Sequence, residues 1–183
     1  MSVADCWESV RMGNPEPDDD GHHPVRARLL APDEWRLARD ARQAALRDSP
    51  GAFLPWRPPE SSWTEDRWRE SWRTGLWAVA EAGTRTAGLA RLSMDGVDAY
   101  VESVWTDPGF RRQGVASTLV RRLIEGKRPA RRGAVYVWVI MPNAAAFSLY
   151  ESLGFVPTKV TQPLDGQDRV EEQLRFSGDR SRW

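Results

Sequence analysis

The chain has 183 residues, which suits one domain with a buried core and short tails. Its 26 Lys and Arg match its 26 Asp and Glu, so no global charge draws it to nucleic acid or to an anionic membrane surface. A single cysteine, Cys6, excludes an internal disulfide and a multi-cysteine metal site, and no apolar run approaches the ~18 residues of a spanning helix.

Residues 1–24 are rich in Asp, Pro and Gly and are expected to form a disordered tail, because they offer too little apolar surface to offset their ordering entropy. The two histidines, His22 and His23, end that tail, which sets aside histidine-based nucleophile systems. The lone cysteine fits a reducing compartment, and no signal-peptide core is visible. A cytoplasmic protein with no metal, no nucleic-acid reader motif and no membrane partner is therefore expected.

Alternation predicts a first strand over Val25–Leu30. Pro32-Asp33-Glu34 opens a helix that carries Trp35, Leu37, Ala38, Ala41, Ala44 and Leu46 and stops before Ser49-Pro50-Gly51. After a proline-rich loop from Phe53 to Pro59, Thr64 can cap a second helix bearing Trp68 and Trp72 four residues apart. Strands over Leu76–Glu81, Ala87–Met94 and Tyr100–Thr106, joined by turns at Gly83-Thr84-Arg85 and Asp95-Gly96, read as an antiparallel meander. A helix over Thr118–Glu125 crosses to Ala134–Ile140, whose nearly continuous apolar run predicts a strand covered on both faces. Ala146, Leu149, Tyr150 and Leu153 form one helical stripe that Gly154 ends, and two last strands follow over Phe155–Thr161 and Val170–Phe176. Residues 25–177 thus form one domain and 178–183 a second tail. The ten tryptophans, densest between Trp56 and Trp72, serve either core packing or an aromatic-walled pocket.

The chain is organised around Asp107–Ser117, a basic, glycine-containing turn between a strand and a helix. At a helix start several N–H groups lack partners inside the helix and the dipole is positive, so the turn suits a phosphate. Arg111 and Arg112 add charge and donors, while Gly114 and Ala116 leave the backbone open to close approach. The hexapeptide Arg111-Arg112-Gln113-Gly114-Val115-Ala116 fits Gln/Arg-x-x-Gly-x-Gly/Ala and resembles the pyrophosphate loop of the GNAT superfamily of acetyl-CoA-dependent N-acetyltransferases. A second stretch, Asn143 to Phe155, resembles the Asn-x-x-Ala…Leu-Tyr-Glu-x-Leu-Gly-Phe signature that follows strand five in the same superfamily.

That resemblance implies an α/β (α+β) GNAT fold: a mixed, mostly antiparallel sheet of about six or seven strands, splayed between strands four and five, with about four helices. It implies acetyl-CoA as co-substrate and no metal. The pantetheine arm would bond the backbone of Val104, Trp105 and Thr106, and Asn143 would assist. The pyrophosphate would sit on the amides of Arg112, Gln113, Gly114, Val115, Ala116 and Ser117, beside the Arg111 side chain. The local basic run (Arg121, Arg122, Lys127, Arg128, Arg131, Arg132) is either a solvated face or an attractor of polyanionic CoA. Tyr150 matches the usual general acid for the CoA thiolate, and a phenol with an ordinary pKa near ~10 is protonated at neutral pH.

The base has no motif. Ribosomal-protein N-terminal acetyltransferases carry a glutamate on strand five where this chain has Trp138, which argues against importing their base. Glu102 shares a face with Val104 and Thr106 by two-residue alternation and can take the proton through a water; alternatively the amine arrives neutral. Phe53, Trp56, Trp63, Trp68 and Trp72, with Gln162–Gln173 opposite, are expected to wall the acceptor side. The expected activity is acetylation of a primary amine on a small metabolite or antibiotic-like molecule by direct attack in a ternary complex. The alternatives are peptide or protein N-acetylation and a non-catalytic acyl-CoA-binding regulatory domain, the protein being a monomer or homodimer.

Overall fold

The computed structural model describes residues 23–53, 59–127, 133–164 and 168–178. Nearly all of the expected N-terminal tail, Cys6, Trp56, Arg128, Arg131, Arg132 and most of the C-terminal tail lie outside the described residues.

Among the described residues, seven strands form one sheet: β1 (Arg26–Leu29), β2 (Gly75–Ala82), β3 (Arg85–Asp95), β4 (Asp98–Thr106), β5 (Val135–Ile140), β6 (Phe155–Pro163) and β7 (Val170–Phe176). Their order is β1-β2-β3-β4-β5-β7-β6. Short turns at Gly83 and Gly96 make β2, β3 and β4 an antiparallel meander, as their sequence predicts. The β4–β5 pair is parallel, because a helix must cross between its strands. Four α-helices complete the fold among the described residues: α1 (Trp35–Asp48), α2 (Glu65–Glu70), α3 (Val115–Gly126) and α4 (Ala144–Ser152). Thr64 caps α2 as expected, its hydroxyl accepting from the Arg67 amide at 3.3 Å.

The sheet separates two apolar cores. On one face Ala80, Ala90, Leu92, Val101 and Val137 meet Val115, Leu119 and Leu123 of α3 and Tyr150 and Leu153 near α4. On the other, Trp77, Val79, Leu89 and Trp105 meet Trp35, Ala38, Ala41 and Ala45 of α1 together with Trp68 and Trp72. Alanines at helical spacing let α1 sit close to the sheet, and the indoles fill the remaining volume. Trp72 and Trp68 stand 5.9 and 6.1 Å from the Trp77 ring, in tilted geometry. The dense tryptophan patch is thus mainly packing. Trp68 and Trp72, expected to wall a pocket, are instead buried in this core at 0% and 9% exposure.

One buried ion pair closes the end of the second core. Arg42 of α1 donates through Nε to both carboxylate oxygens of Glu60, at 2.9 and 3.2 Å, and both side chains are 2% exposed. The Arg42 guanidinium also lies 4.7 Å from the Phe53 ring centroid. Removing one partner strands a buried charge, whereas removing both does not. Arg42→Met should therefore lower the unfolding free energy in urea by about 3–5 kcal/mol, and the double change Arg42→Met, Glu60→Met should restore most of it.

Candidate functional site

The site begins with a backbone irregularity. Arg91 of β3 pairs with Glu102, but Leu89 pairs with Trp105, so β4 carries one residue more than its partner over this interval. Ser103 takes up the excess at a φ of 57°, a β-bulge in the left-handed region. Alternation breaks there. Glu102 shares the α1-side face with Trp105, while Val104 turns to the α3-side core and Thr106 sits opposite Gly88, which faces α3. The expectation that Glu102 shares a face with Val104 and Thr106 is corrected by this bulge.

Beside the bulge the sheet opens. The β4–β5 pairing covers Ala99–Val135, Tyr100–Tyr136 and Val101–Val137 and then ends. A cleft of about 680 Å³ occupies the divergence. Its lining includes Val101, Glu102, Ser103 and Val104 on one side, Val137 to Ile140 on the other, Asn143 and Tyr150 from the α4 region, and Arg42, Phe53, Arg169 and Glu171 toward the α1 end. Of the expected pantetheine-binding stretch, Val104 lines this cleft, while Trp105 and Thr106 lie beyond its walls. Trp105 is buried and donates its Nε1 proton to Asp48 at 3.0 Å.

The expected phosphate loop follows β4. Asp107 accepts from the Gly109 amide at 2.9 Å and starts a tight turn, and Gly114 at φ 78° sets the start of α3. Thr118 is the first α3 amide to return to a carbonyl, that of Gly114 at 3.0 Å. The amides of Val115, Ala116 and Ser117 precede it in the first turn, where helix geometry supplies no acceptor. Arg111, Arg112, Gln113 and Gly114 are exposed around them. The residues present therefore fit a diphosphate: left-handed glycine, an uncovered first turn and two flanking cations. Gly88 seats this turn, since a Cβ there would come within 2.8 Å of Val115 Cγ1 and 2.6 Å of the Trp105 carbonyl oxygen.

Tyr150 is 6% exposed and meets Phe155 edge-on at 5.4 Å. Burial raises its pKa well above the usual phenol value, so the hydroxyl keeps its proton across the neutral range. Asn143 lines the cleft and caps α4, its Oδ1 accepting from the Ala146 amide at 3.0 Å, so its side-chain nitrogen is left as a donor. Glu102 is about one-third exposed, and Arg91 grips its Oε1.

Four participants have no sequence motif. Arg91, 4% exposed, also donates to the Ser71 carbonyl at 3.1 Å and the Thr74 hydroxyl at 2.8 Å. Arg42 and Glu171 bring a cation and a second carboxylate to the cleft, the latter receiving a 2.5 Å bond from Gln162 Nε2. Asp48, at the end of α1, accepts from Trp105 and from Arg111 at 2.5 Å. Paired residues here lie far apart in sequence, so only the register of strands and helices reveals them. Of the expected acceptor wall, Phe53, Arg169 and Glu171 line the cleft and Trp63 lines a neighbouring cavity.

Hydrogen bonds from Ser49 and Trp105, and then the Arg111 charge, hold the Asp48 carboxyl below its usual range. A carboxyl depressed in the folded state contributes stability above its unfolded value and loses it as pH falls through the folded value. Wild-type protein should therefore lose stability progressively below about pH 4, and Asp48→Asn should flatten that acid slope in denaturation curves recorded between about pH 5 and pH 2.

Comparison with known proteins agrees with this geometry. A sequence model described as the Acetyltransferase (GNAT) family matches residues 39–155. N-alpha-acetyltransferase RimI of Mycobacterium tuberculosis is 37% identical over 70 residues, 38% of this chain and 42% of that protein. The ribosomal protein bS18 alanine N-acetyltransferase of Escherichia coli K12 is 40% identical over 60 residues, 32% of this chain and 39% of that protein. The chain thus spans about two fifths of the length of these two curated relatives. Among solved structures, the E. coli ribosomal-protein-S18-alanine N-acetyltransferase shares the fold at a TM-score of 0.62, with 22% identity over 83% of this chain and 92% of that one. Arabidopsis thaliana NAA60 in complex with acetyl-CoA gives a TM-score of 0.60, with 13% identity over 83% and 97%. Because the family match covers more than half of the chain, on a sheet with one parallel, diverging strand pair, the protein belongs to the GNAT acetyltransferase family.

Proposed function

We propose that the protein is an acetyl-CoA-dependent N-acetyltransferase whose acceptor is the amine of a peptide or protein. The observation that carries the reading is the β4–β5 divergence, which opens beside the uncovered first turn of α3 and is lined by Tyr150 and Glu102. Bound acetyl-CoA would supply the activated acetyl thioester. The amides of Gln113 to Ser117 would hold its diphosphate, Arg111 and Arg112 would add charge, and Asn143 and the backbone at Val104 would steady the pantetheine arm.

An amine must be neutral to attack. Glu102, fixed by Arg91, is the proton acceptor, directly or through one water. Tyr150 retains its proton at neutral pH and is the donor to the departing thiolate. Holding both reactants in one cleft removes the entropy cost of a bimolecular encounter, the main contribution expected of a direct-transfer site.

The choice of acceptor departs from the sequence-based preference for a small amine. The relatives named for ribosomal-protein alanine or N-alpha acetylation support a polypeptide acceptor, and so does a cleft of about 680 Å³ whose lining extends from Tyr150 and Glu102 to Phe53 and Arg169. Trp138, in place of the strand-five glutamate expected of the ribosomal-protein enzymes, lines the cleft and supports a different base, Glu102. A cytoplasmic setting remains part of the proposal; among the described residues, no helix is long and apolar enough to cross a membrane.

Release of CoA thiol should be measured with acetyl-CoA and a panel of free-amino-terminus peptides and small amines. Peptides should be the better acceptors; fast turnover of small amines with silent peptides would reverse the choice, and absence of thiol release with every acceptor would leave only a binding domain. Tyr150→Phe should lower kcat by about 10²-fold or more, with acetyl-CoA binding by calorimetry unchanged.

A further inference from the structure

A second cavity, of about 380 Å³, adjoins the cleft on the α2 side. Ser93 and Ser103 line both spaces, and the Arg91–Glu102 pair stands between them: Arg91 faces the second cavity and Glu102 the cleft. The Arg42–Glu60 pair divides in the same way, with Glu60 on the second cavity and Arg42 on the cleft. The cavity is therefore a side chamber next to the carboxylate assigned above to the reacting amine.

We propose that this chamber receives the side chain of the acceptor's first residue and selects large, uncharged apolar side chains. The proposal rests on the N-acetyltransferase reading of the cleft. In an N-terminal peptide the first side chain branches one carbon from the reacting nitrogen, so a chamber adjoining Glu102 is where that branch can go. The walls set the chemistry. Trp63, Trp77 and Met94 present aromatic and thioether surface. Three of the four formal charges that share the lining are paired with an opposite charge. Glu60 is held by Arg42, and Arg91 by Glu102, Ser71 and Thr74. Glu70 pairs with Arg73, and Arg67 lies 5.1 Å from the Trp63 ring centroid. A cationic occupant would find both lining carboxylates already paired, and an acidic one would find only Arg67, exposed and held against the Trp63 ring, whereas an apolar one displaces water from indole faces. The volume far exceeds the ~30 Å³ share of one water and accommodates a methionine, leucine or phenylalanine side chain.

The test is kcat/KM for peptides that differ only at the first residue: Gly, Ala, Ser, Leu, Met, Phe, Asp and Lys. Met, Leu and Phe should exceed Gly by about tenfold or more, the effect of burying a side chain of that size. Trp63→Ala should reduce the Met-to-Gly ratio to within about threefold, and Trp63→Phe should retain most of it. A ratio taken within each variant is insensitive to how much of that variant folds. Robust turnover with no first-residue preference, with preference for Gly, Ala, Asp or Lys, or with a Met-to-Gly ratio untouched by Trp63→Ala would overturn the chamber and leave the acetyltransferase reading standing. Absence of thiol release with every amine, despite acetyl-CoA binding, would overturn both.

Discussion

The structure depends on one interrupted strand pair. Past Val101 and Val137, β4 and β5 no longer pair with each other, while each keeps its other neighbour. β4 stays paired with β3 as far as Thr106, and β5 stays paired with β7 as far as Ile140. The bulge at Ser103 re-aims β4 at the point of parting. Helices and apolar cores pack on both faces of the sheet around this gap. A cleft with free strand edges results, a costly feature in a protein interior unless a ligand or solvent meets the exposed polar groups.

Electrostatics reinforces the same corner. Although the chain is neutral overall, three ion pairs, Arg42–Glu60, Arg91–Glu102 and Arg111–Asp48, stand around the cleft and the turn before α3. Asp48 ties three parts together: the end of α1, the indole of Trp105 on β4 and the guanidinium of Arg111 at the start of the proposed phosphate loop. Arg111 thus braces the loop through α1 while Arg112 and the α3 amides remain outward. Lys127 is likewise a structural cation, donating to the carbonyls of Gly133 and Ala134 where the chain enters β5. The described part of the basic run therefore includes members that hold the fold together, with Arg122 near Glu125 at 3.7 Å.

Local features were legible from sequence. The meander turns, the Thr64 cap, the glycine at the start of α3 and the stripe on α4 each follow from a few adjacent residues, and the structure has them. Glu102, Asn143 and Tyr150 were named from motif and alternation, and they line one cleft. Alternation failed at the bulge, because a single residue in the left-handed region leaves no periodic trace, and the face assigned to Glu102 was wrong for that reason. Trp68 and Trp72 were misread as pocket walls because composition does not distinguish a packed indole from an exposed one. Arg91, Arg42 and Asp48 were invisible because their partners sit on other elements, 11 to 63 positions away.

The proposed acetyl-CoA surface joins the β4–β5 gap to the first turn of α3. A crystal structure with bound CoA tests it most directly. The account predicts the diphosphate on the amides between Gln113 and Ser117, with the pantetheine arm entering the gap toward Tyr150. A diphosphate bound elsewhere, or a gap closed by continuous β4–β5 pairing with CoA present, would contradict it.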